Sequence, residues 1–427
     1  MANHQAHIES SYRALKSLKE PIILLHPHSR YRSLLLARLM NETSTPCFYY
    51  ALDPDDINVQ TLVESMTRTM SSQFPFFGRH LNLQPEAVFK NFGAHEELVM
   101  ETFRRELSDL CSEHFYLLLD EYDRSDNASD IHRFIELLAE YLPPNCQLIL
   151  NGRTLPRLPW IALVAKRKAA ILMDDQCVEN NFYEKPNRTP PYVIQAKTLG
   201  PGHVYVNDEI IEDWEGHLPR LLLFFALDRP IVTRSEICYA FWPTLDTDQA
   251  VNVFHVTKRR LHKAIGHDIL VHADVHYQIN PDIPIYYDAF EFVEALTEGR
   301  NPNTERPIEA WKRAIELYGG PFLHGHDEKW VQERRSAYRV GYIEALMEMA
   351  DYWIGRERFE MAIRQYELAI NAAFDDPLPH MRLIDLYARL GRRSEAVAHY
   401  QHVSETFRSD GRQIPASLQM LYGQLTT

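Results

Sequence analysis

Residues 249–267 read QAVNVFHVTKRRLHKAIGH, with four lysines or arginines and no carboxylate, inside a 427-residue chain whose formal net charge is −14 at pH 7. A concentrated positive stretch in an acidic protein is a local feature, and nucleic acid is the partner that most often accounts for it. At about 100° per residue, Ala250, Val253, Phe254, Thr257, Leu261, Ala264 and Ile265 gather on one side as a core stripe. Asn252, His255, Val256, Arg259 and Lys263 gather on the other, with Lys258 and Arg260 on the flanks. The outward face thus presents an amide, an imidazole, an apolar contact and a guanidinium. These groups suit base edges in a major groove, Arg to guanine and Asn to adenine, while Lys258, Arg260 and Lys263 suit phosphates. The plain alternative is a solvated basic face.

Such a helix needs neighbours to present it. Asp246-Thr-Asp-Gln249 has the form of a capping box opening the helix, and Gly266 closes it. Upstream, Thr233-Arg-Ser-Glu236 is a second capping box, starting a short helix that ends at Trp242-Pro243. Before that, His217–Asp228 is a strongly apolar helix followed by Arg229-Pro230. Downstream, Ile269–Asn280 alternates as a hairpin. Three helices and a hairpin describe a winged helix-turn-helix whose third helix is the reader.

The run from Leu199 to Gly266 resembles the winged-helix domain of the SARP-type bacterial transcriptional activators, a branch of the OmpR/PhoB-type regulators. The residues that carry the resemblance are Leu199-Gly200, Val204-x-Val206-Asn207, Trp214, Arg220-x-Leu222-Leu223, Arg229-Pro230, Glu236-Ile237, Phe241-Trp242-Pro243, Ala250, Arg260-Leu261 and Lys263-Ala264-Ile265-Gly266. His262 stands where that family usually has a second arginine. The resemblance implies double-stranded DNA as partner, bound at direct repeats by a homodimer, with recruitment of RNA polymerase; His262 joins the candidate DNA contacts, as a weakened phosphate contact or a pH-sensitive one, with a neutral surface substitution as the plain alternative.

Beyond the hairpin, Ile285-Tyr-Tyr-Asp-Ala-Phe290, Tyr318-Gly-Gly-Pro-Phe-Leu323, Trp330 and Arg334-Arg335 resemble the bacterial transcriptional activator domain, which is all-helical and tetratricopeptide-like. A repeat is visible in the residues themselves. Arg358, Ala362 and Tyr366 recur as Arg392, Ala396 and Tyr400, at the roughly 34-residue period of helix-hairpin repeats. Stacked hairpins of this kind share a core and leave a concave face for protein contacts.

The first 178 residues have another rhythm. Short apolar runs at Ile22–His26, Phe48–Leu52, Phe115–Asp120, Gln147–Asn151 and Ala170–Met173 alternate with helical stretches at Ser33–Met40, Val59–Ser71, Glu96–Ser112 and Ile131–Tyr141. That is the pattern of a parallel α/β sheet. The segment resembles the NTPase module of the MalT-like STAND regulators. The resemblance implies that the strand ending at Asp120-Glu121 delivers a magnesium ligand and a water-orienting carboxylate, and that Arg153 lies near phosphates. The phosphate loop departs from the pattern. A working loop wraps phosphates with backbone N–H groups at glycines and follows them with Lys and Ser/Thr. Here His26-Pro-His-Ser-Arg-Tyr-Arg-Ser33 takes that place: Arg32 stands for the lysine, Ser33 fits, and Ser29 and Tyr31 replace glycines. The expectation is a degenerate, non-hydrolysing domain with no catalytic residues and no obligatory cofactor. ATP with Mg²⁺ held by Ser29, Arg32, Ser33, Asp120, Glu121 and Arg153 is the alternative.

The expected division is therefore an NTPase-like α/β domain at 1–178, a Pro/Asn-rich linker at 179–192, a winged helix-turn-helix at 193–282 and a tetratricopeptide-like activator domain at 283–427. Five cysteines without C-x-x-C spacing read as buried thiols in a reducing cytosol. Twenty scattered histidines carry no metal-site spacing. No apolar run reaches the roughly 18 residues of a membrane span, and the amino terminus has no apolar signal core. The chain so read is a cytoplasmic transcription regulator, with no membrane partner and no metal. Two rivals stand beside it, an ATP-controlled STAND-type switch and a protein-interaction scaffold.

Overall fold

The computed structural model describes residues 2–27, 29–41, 45–126, 128–172, 190–229, 231–273, 276–301 and 304–426. Most of the 179–192 linker, Cys177, Pro230 and residues 274–275 lie outside them. By its internal contacts the chain forms two compact units, one of Met1–Ala196 with His203–Tyr286 and one of Lys197–Gly202 with Tyr287–Thr427.

The first unit begins with α1 (Ala2–Ser17), β1 (Ile22–Leu25), α2 (Arg32–Met40), β2 (Cys47–Ala51) and α3 (Val59–Ser71). It continues through α4 (Glu86–Lys90), α5 (Glu96–Leu110), β3 (Phe115–Asp120), α6 (Ser129–Tyr141), β4 (Cys146–Leu150), α7 (Trp160–Ala165) and β5 (Ala169–Leu172). The five strands form one parallel sheet in the order β2-β3-β4-β1-β5. Strands β1 and β4 are buried at every residue, as near-continuous apolar runs covered on both faces must be. One face packs Ile23, Leu25, Leu118 and Ile149 against Tyr12 and Leu15 of α1 and Leu35, Leu36 and Leu39 of α2. Helix α1 is absent from the sequence expectation; its Tyr12 and Leu15, one turn apart, are the anchors that a reading of apolar runs passes over. The expected strands and helices of this region are otherwise present, displaced by at most a few residues at their ends.

A second part of the same unit holds β6 (Ile194–Lys197), β7 (His203–Val206), β8 (Glu209–Ile210), α8 (Leu218–Asp228), β9 (Ile231–Val232), α9 (Arg234–Phe241), α10 (Thr247–Ile265), β10 (Leu270–Ala273), β11 (His276–Ile279) and β12 (Ile285–Tyr287). A four-stranded sheet runs β12-β6-β7-β8 and a three-stranded one β10-β11-β9. Asn207 and Asp208, both at positive φ (49° and 67°), make the two-residue turn between β7 and β8, the backbone that a tight hairpin of this hand requires. The three helices followed by a hairpin stand in the order expected. Nine of the eleven residues of α8 are buried; a helix apolar all round must be covered on more than one side, and α7 covers one of them.

The second unit is helical: α11 (Asp288–Arg300), α12 (Pro307–Leu317), α13 (Lys329–Gly355), α14 (Phe359–Ala372), α15 (Pro377–Arg389), α16 (Arg393–Ser409) and α17 (Ala416–Thr426), each packed on its chain neighbour. The 34-residue period is geometric as well as chemical. Glu357 (φ 56°) and Gly391 (φ 71°) make the same left-handed turn ahead of α14 and α16. Arg358 and Arg392, the next residues, return their N–H groups to Trp353 and Tyr387 carbonyls at 2.9 and 2.8 Å. Segment 197–202 is fastened to this unit by the buried Asp288 carboxylate, which accepts from Thr198 N, Thr198 Oγ1, Leu199 N and Ala289 N at 2.8–2.9 Å. Burial pushes that carboxyl up and the four donors pull it back.

Candidate nucleic-acid interface

Helix α10 starts where Asp246 accepts from Gln249 N at 2.9 Å and ends at Gly266, whose φ of 77° lets its N–H return to His262 O at 2.8 Å. Ahead of it, Thr233 and Glu236 form a complete reciprocal capping box on α9. Ala250, Phe254, Thr257, Leu261 and Ile265 bury one face of α10, and Phe254 meets Tyr277 of β11 edge-on with ring centroids 5.0 Å apart. Apolar burial thus fixes both the helix and the hairpin beside it.

The opposite face is a continuous exposed stripe: Asn252, His255, Val256, Arg259, Arg260 and Lys263. Their spacing of three, one, three, one and three residues keeps all six on one side of a helix. Among the described residues Arg259 holds no ion pair, so its guanidinium stands open on the stripe.

Two residues of the expected set turn away from it. Lys258 is half-buried and lies over the Tyr277 ring, 5.2 Å from the centroid, with its pKa lowered by burial. His262 faces the hairpin: Nδ1 is 2.7 Å from Asp268 Oδ1, and Nε2 accepts from Leu270 N at 3.3 Å. Burial and then Lys258 lower its pKa, against the pull of Asp268. The outward phosphate contact considered for His262 is therefore replaced by an internal tie between α10 and β10. Arg260 and Lys263 both reach Glu215, in the loop between β8 and α8. The sequence reading missed Glu215; the acidic run Glu212-Asp213-Trp214-Glu215 was the available signal.

The other candidate residues, Ser29 apart, meet at the carboxyl ends of β1, β3 and β4, in a cleft of about 520 Å³ lined by Arg32, Ser33, Tyr49, Asp120, Asn151 and Arg153 among others. Tyr31 is buried, 7 % exposed, and its ring stacks with His7 of α1 at 6.1 Å. Arg32 donates to Gly152 O, to Asn151 Oδ1 at 3.0 Å and to Ser29 O at 3.3 Å. Burial lowers its pKa, partly offset by Asp120 and Asp123. Asp120 in turn accepts from Asn151 Nδ2 at 2.6 Å and from the Tyr49 hydroxyl at 3.0 Å. Glu121 sits at a left-handed φ of 50° and pairs with Arg124. Arg153 is 3.5 Å from Asp123 and 3.9 Å from Glu121. Ser29 is buried in a turn to His26 O, and Ser33 is exposed on the first turn of α2. The structure thus brings Arg32, Ser33, Asp120, Glu121 and Arg153 to one cleft. Among the described residues no group of three or more His, Cys, Asp or Glu is arranged to hold a metal ion, and no helix is long and apolar enough to cross a membrane.

Residues 287–425 match the family profile of the bacterial transcriptional activator domain. That match covers the C-terminal third of the chain and supports the resemblance to SARP-type transcriptional regulators. Among solved structures, Mycobacterium tuberculosis EmbR in complex with a low-affinity phosphopeptide is similar at 20 % identity and a TM-score of 0.44, over 55 % of this chain and 65 % of that one. The chain thus spans about two thirds of EmbR's length. No curated protein matches.

Proposed function

We propose that this protein is a sequence-specific, double-stranded DNA-binding transcription regulator that acts as an activator, with residues 193–282 as a winged helix-turn-helix. The observation that carries the reading is the exposed stripe Asn252–His255–Val256–Arg259–Arg260–Lys263 on a capped helix. Helix α10 enters the major groove, Arg259 and Asn252 meet base edges, and Arg260 and Lys263 meet phosphates. The hairpin around His272–Tyr277 meets the backbone or the minor groove. By family resemblance the protein binds direct repeats as a homodimer, works in the cytoplasm, and helps recruit RNA polymerase.

The amino-terminal sheet is, in this reading, a degenerate NTPase-like domain and not an enzyme. Its cleft does not fit a nucleotide's phosphates. A buried Tyr31 side chain stands where backbone must approach the phosphate, and Arg32, in the lysine position, is already bonded to Asn151 and Gly152.

The test is selection of full-length protein on a random double-stranded DNA pool, followed by titration of the enriched sequence. An enriched repeat is expected, and Arg259→Ala should weaken binding to it by about 1–3 kcal/mol while relaxing the choice of base at one position. Recovery of unenriched DNA, bound weakly and lost with salt, would refute the reading in favour of a protein-interaction scaffold.

A further inference from the structure

The reader helix meets a carboxylate before it meets any DNA. Glu215 places Oε1 2.5 Å from Lys263 Nζ and Oε2 3.3 Å from Arg260 Nε. Both cations hold its carboxyl below the usual range, Lys263 first, and Arg259 adds to the effect from further off. The loop that carries Glu215 is tightly closed. Trp214 Nε1 donates to Ile211 O at 3.0 Å, Trp214 N to Glu212 O at 3.1 Å, and Gly216 N to Trp214 O at 2.7 Å. Gly216 itself takes a φ of 84°, in the left-handed region that favours glycine. The backbone that carries the carboxylate is therefore a built turn.

The four cations of α10 divide accordingly. Arg260 and Lys263 are paired with Glu215, Lys258 leans on the Tyr277 ring, and Arg259 has neither an ion pair nor a ring contact among the described residues. Two of the groups that gain energy from any DNA backbone already share one carboxylate, which offsets one of their two charges, and the group suited to reading a base has no such partner. We propose that Glu215 is a built-in substitute for a DNA phosphate, which suppresses sequence-independent binding and so sets the selectivity of the reader helix.

The physics is a competition. Affinity for arbitrary DNA comes from cations that displace condensed counterions from phosphates. A cation already paired within the protein releases fewer counterions, and the exposed carboxylate opposes the approach of the backbone. Exposed ion pairs are weak, so the correct operator can still displace Glu215 once base contacts by Arg259 add their share. An arbitrary sequence offers no such addition.

This inference rests on the proposed DNA-binding function, and the test separates the two. Wild type, Glu215→Gln and Glu215→Asp are titrated with the selected operator and with a scrambled duplex over a range of salt. Glu215 is half exposed and caps no helix, so folding is checked only by a thermal melt. Glu215→Gln should raise affinity for the scrambled duplex roughly 3- to 10-fold and steepen its log–log salt slope by about 1, the one charge that the carboxylate offsets. The operator should gain less, so the ratio of specific to non-specific affinity falls, and Glu215→Asp should lie between. Equal gains on both duplexes, or none on either, would overturn the role of Glu215 while leaving operator binding by the wild type intact. Failure of the wild type to prefer any operator would instead remove the proposed function itself.

Discussion

Arg157 Nη1 lies 2.9 Å from Glu236 Oε2, with the two side chains only 4 % and 11 % exposed. The arginine follows strand β4 of the parallel sheet; the glutamate is the third residue of α9. Glu236 uses the same oxygen to accept from Thr233 N at 2.7 Å and Thr233 Oγ1 at 2.8 Å. The capping box that defines α9 is therefore also the socket in which the sheet layer is docked. A second pair, Arg229 with Glu136 of α6 at 3.4 Å, lies in the same contact. Removing one member of a buried pair leaves the other charge uncompensated. Arg157→Ala should cost about 3 kcal/mol, near the low end for such a break, because Glu236 keeps its bonds from Thr233. Denaturant unfolding of Arg157→Ala, Glu236→Gln and the double variant should show coupling between them. Additive effects would mean that the pair does not hold the layers together.

The same contact predicts what happens when the sheet layer is removed. Helix α8 is buried at Leu221, Leu222, Leu223, Phe224 and Phe225 alike, and α7, with Trp160 and Ile161 wholly buried, is among the elements that cover it. A fragment beginning near residue 190 would expose part of that apolar surface. It should elute as an aggregate or bind a hydrophobic dye, where the full chain does neither. A monodisperse, dye-negative fragment would show that α7 contributes nothing essential to the cover of α8.

That contact was only half legible in the sequence. The run LPRLLLFFALD announced a helix without a polar face, and such a helix implies cover on several sides; nothing in it named the partner. Helix α10 was legible because its chemistry is periodic, so exposure of Asn252, His255 and Arg259 follows from spacing alone. His262 and Lys258 were not. Whether a flanking side chain turns to solvent or to a neighbour depends on Asp268 and Tyr277, which approach only after the hairpin folds back. Glu215 was hidden for the same reason, lying 45 residues or more from both of the cations it meets. Helix α1 escaped notice because its two anchors, Tyr12 and Leu15, sit in an otherwise polar stretch.

The loop after β1, proposed above as a degenerate phosphate loop, carries its own expectation. With Tyr31 buried and Arg32 bonded to Asn151 and Gly152, full-length protein with Mg²⁺ should release no phosphate from ATP above buffer. Tyr31→Gly should restore backbone access without restoring turnover, since Arg32 remains committed to the end of β4. Weak nucleotide binding gained by that variant, seen by fluorescence of a labelled analogue, would identify Tyr31 as the obstruction. Turnover by the wild type would sink the degenerate-domain reading outright.

One buried and one half-buried histidine set the acid side of stability. Burial, then the charges of Arg157 and Arg229, pull His132 down to about 3; burial, then His380 and His402, pull His399 down to about 4. The unfolded chain takes these protons near pH 6.5. Between the folded and unfolded values the unfolded state binds more protons, so stability rises with pH. It is complete above about pH 6.5 and falls below it, by up to about 1.4 kcal/mol per pH unit for each histidine. His132 accepts or donates at Nδ1 to the Tyr122 hydroxyl, 2.9 Å away, and faces the same two arginines that dock α6 and the β4 loop on α8 and α9. Acid should therefore loosen that contact first. Unfolding followed from pH 7 to 5 should show a steep loss in the wild type, a shallower one in His132→Gln in the transition of the first unit, and a shallower one in His399→Gln in that of the second. Each variant should start less stable at pH 7, having lost a packed ring. Identical pH slopes in all three proteins would mean that neither histidine is held neutral by the fold.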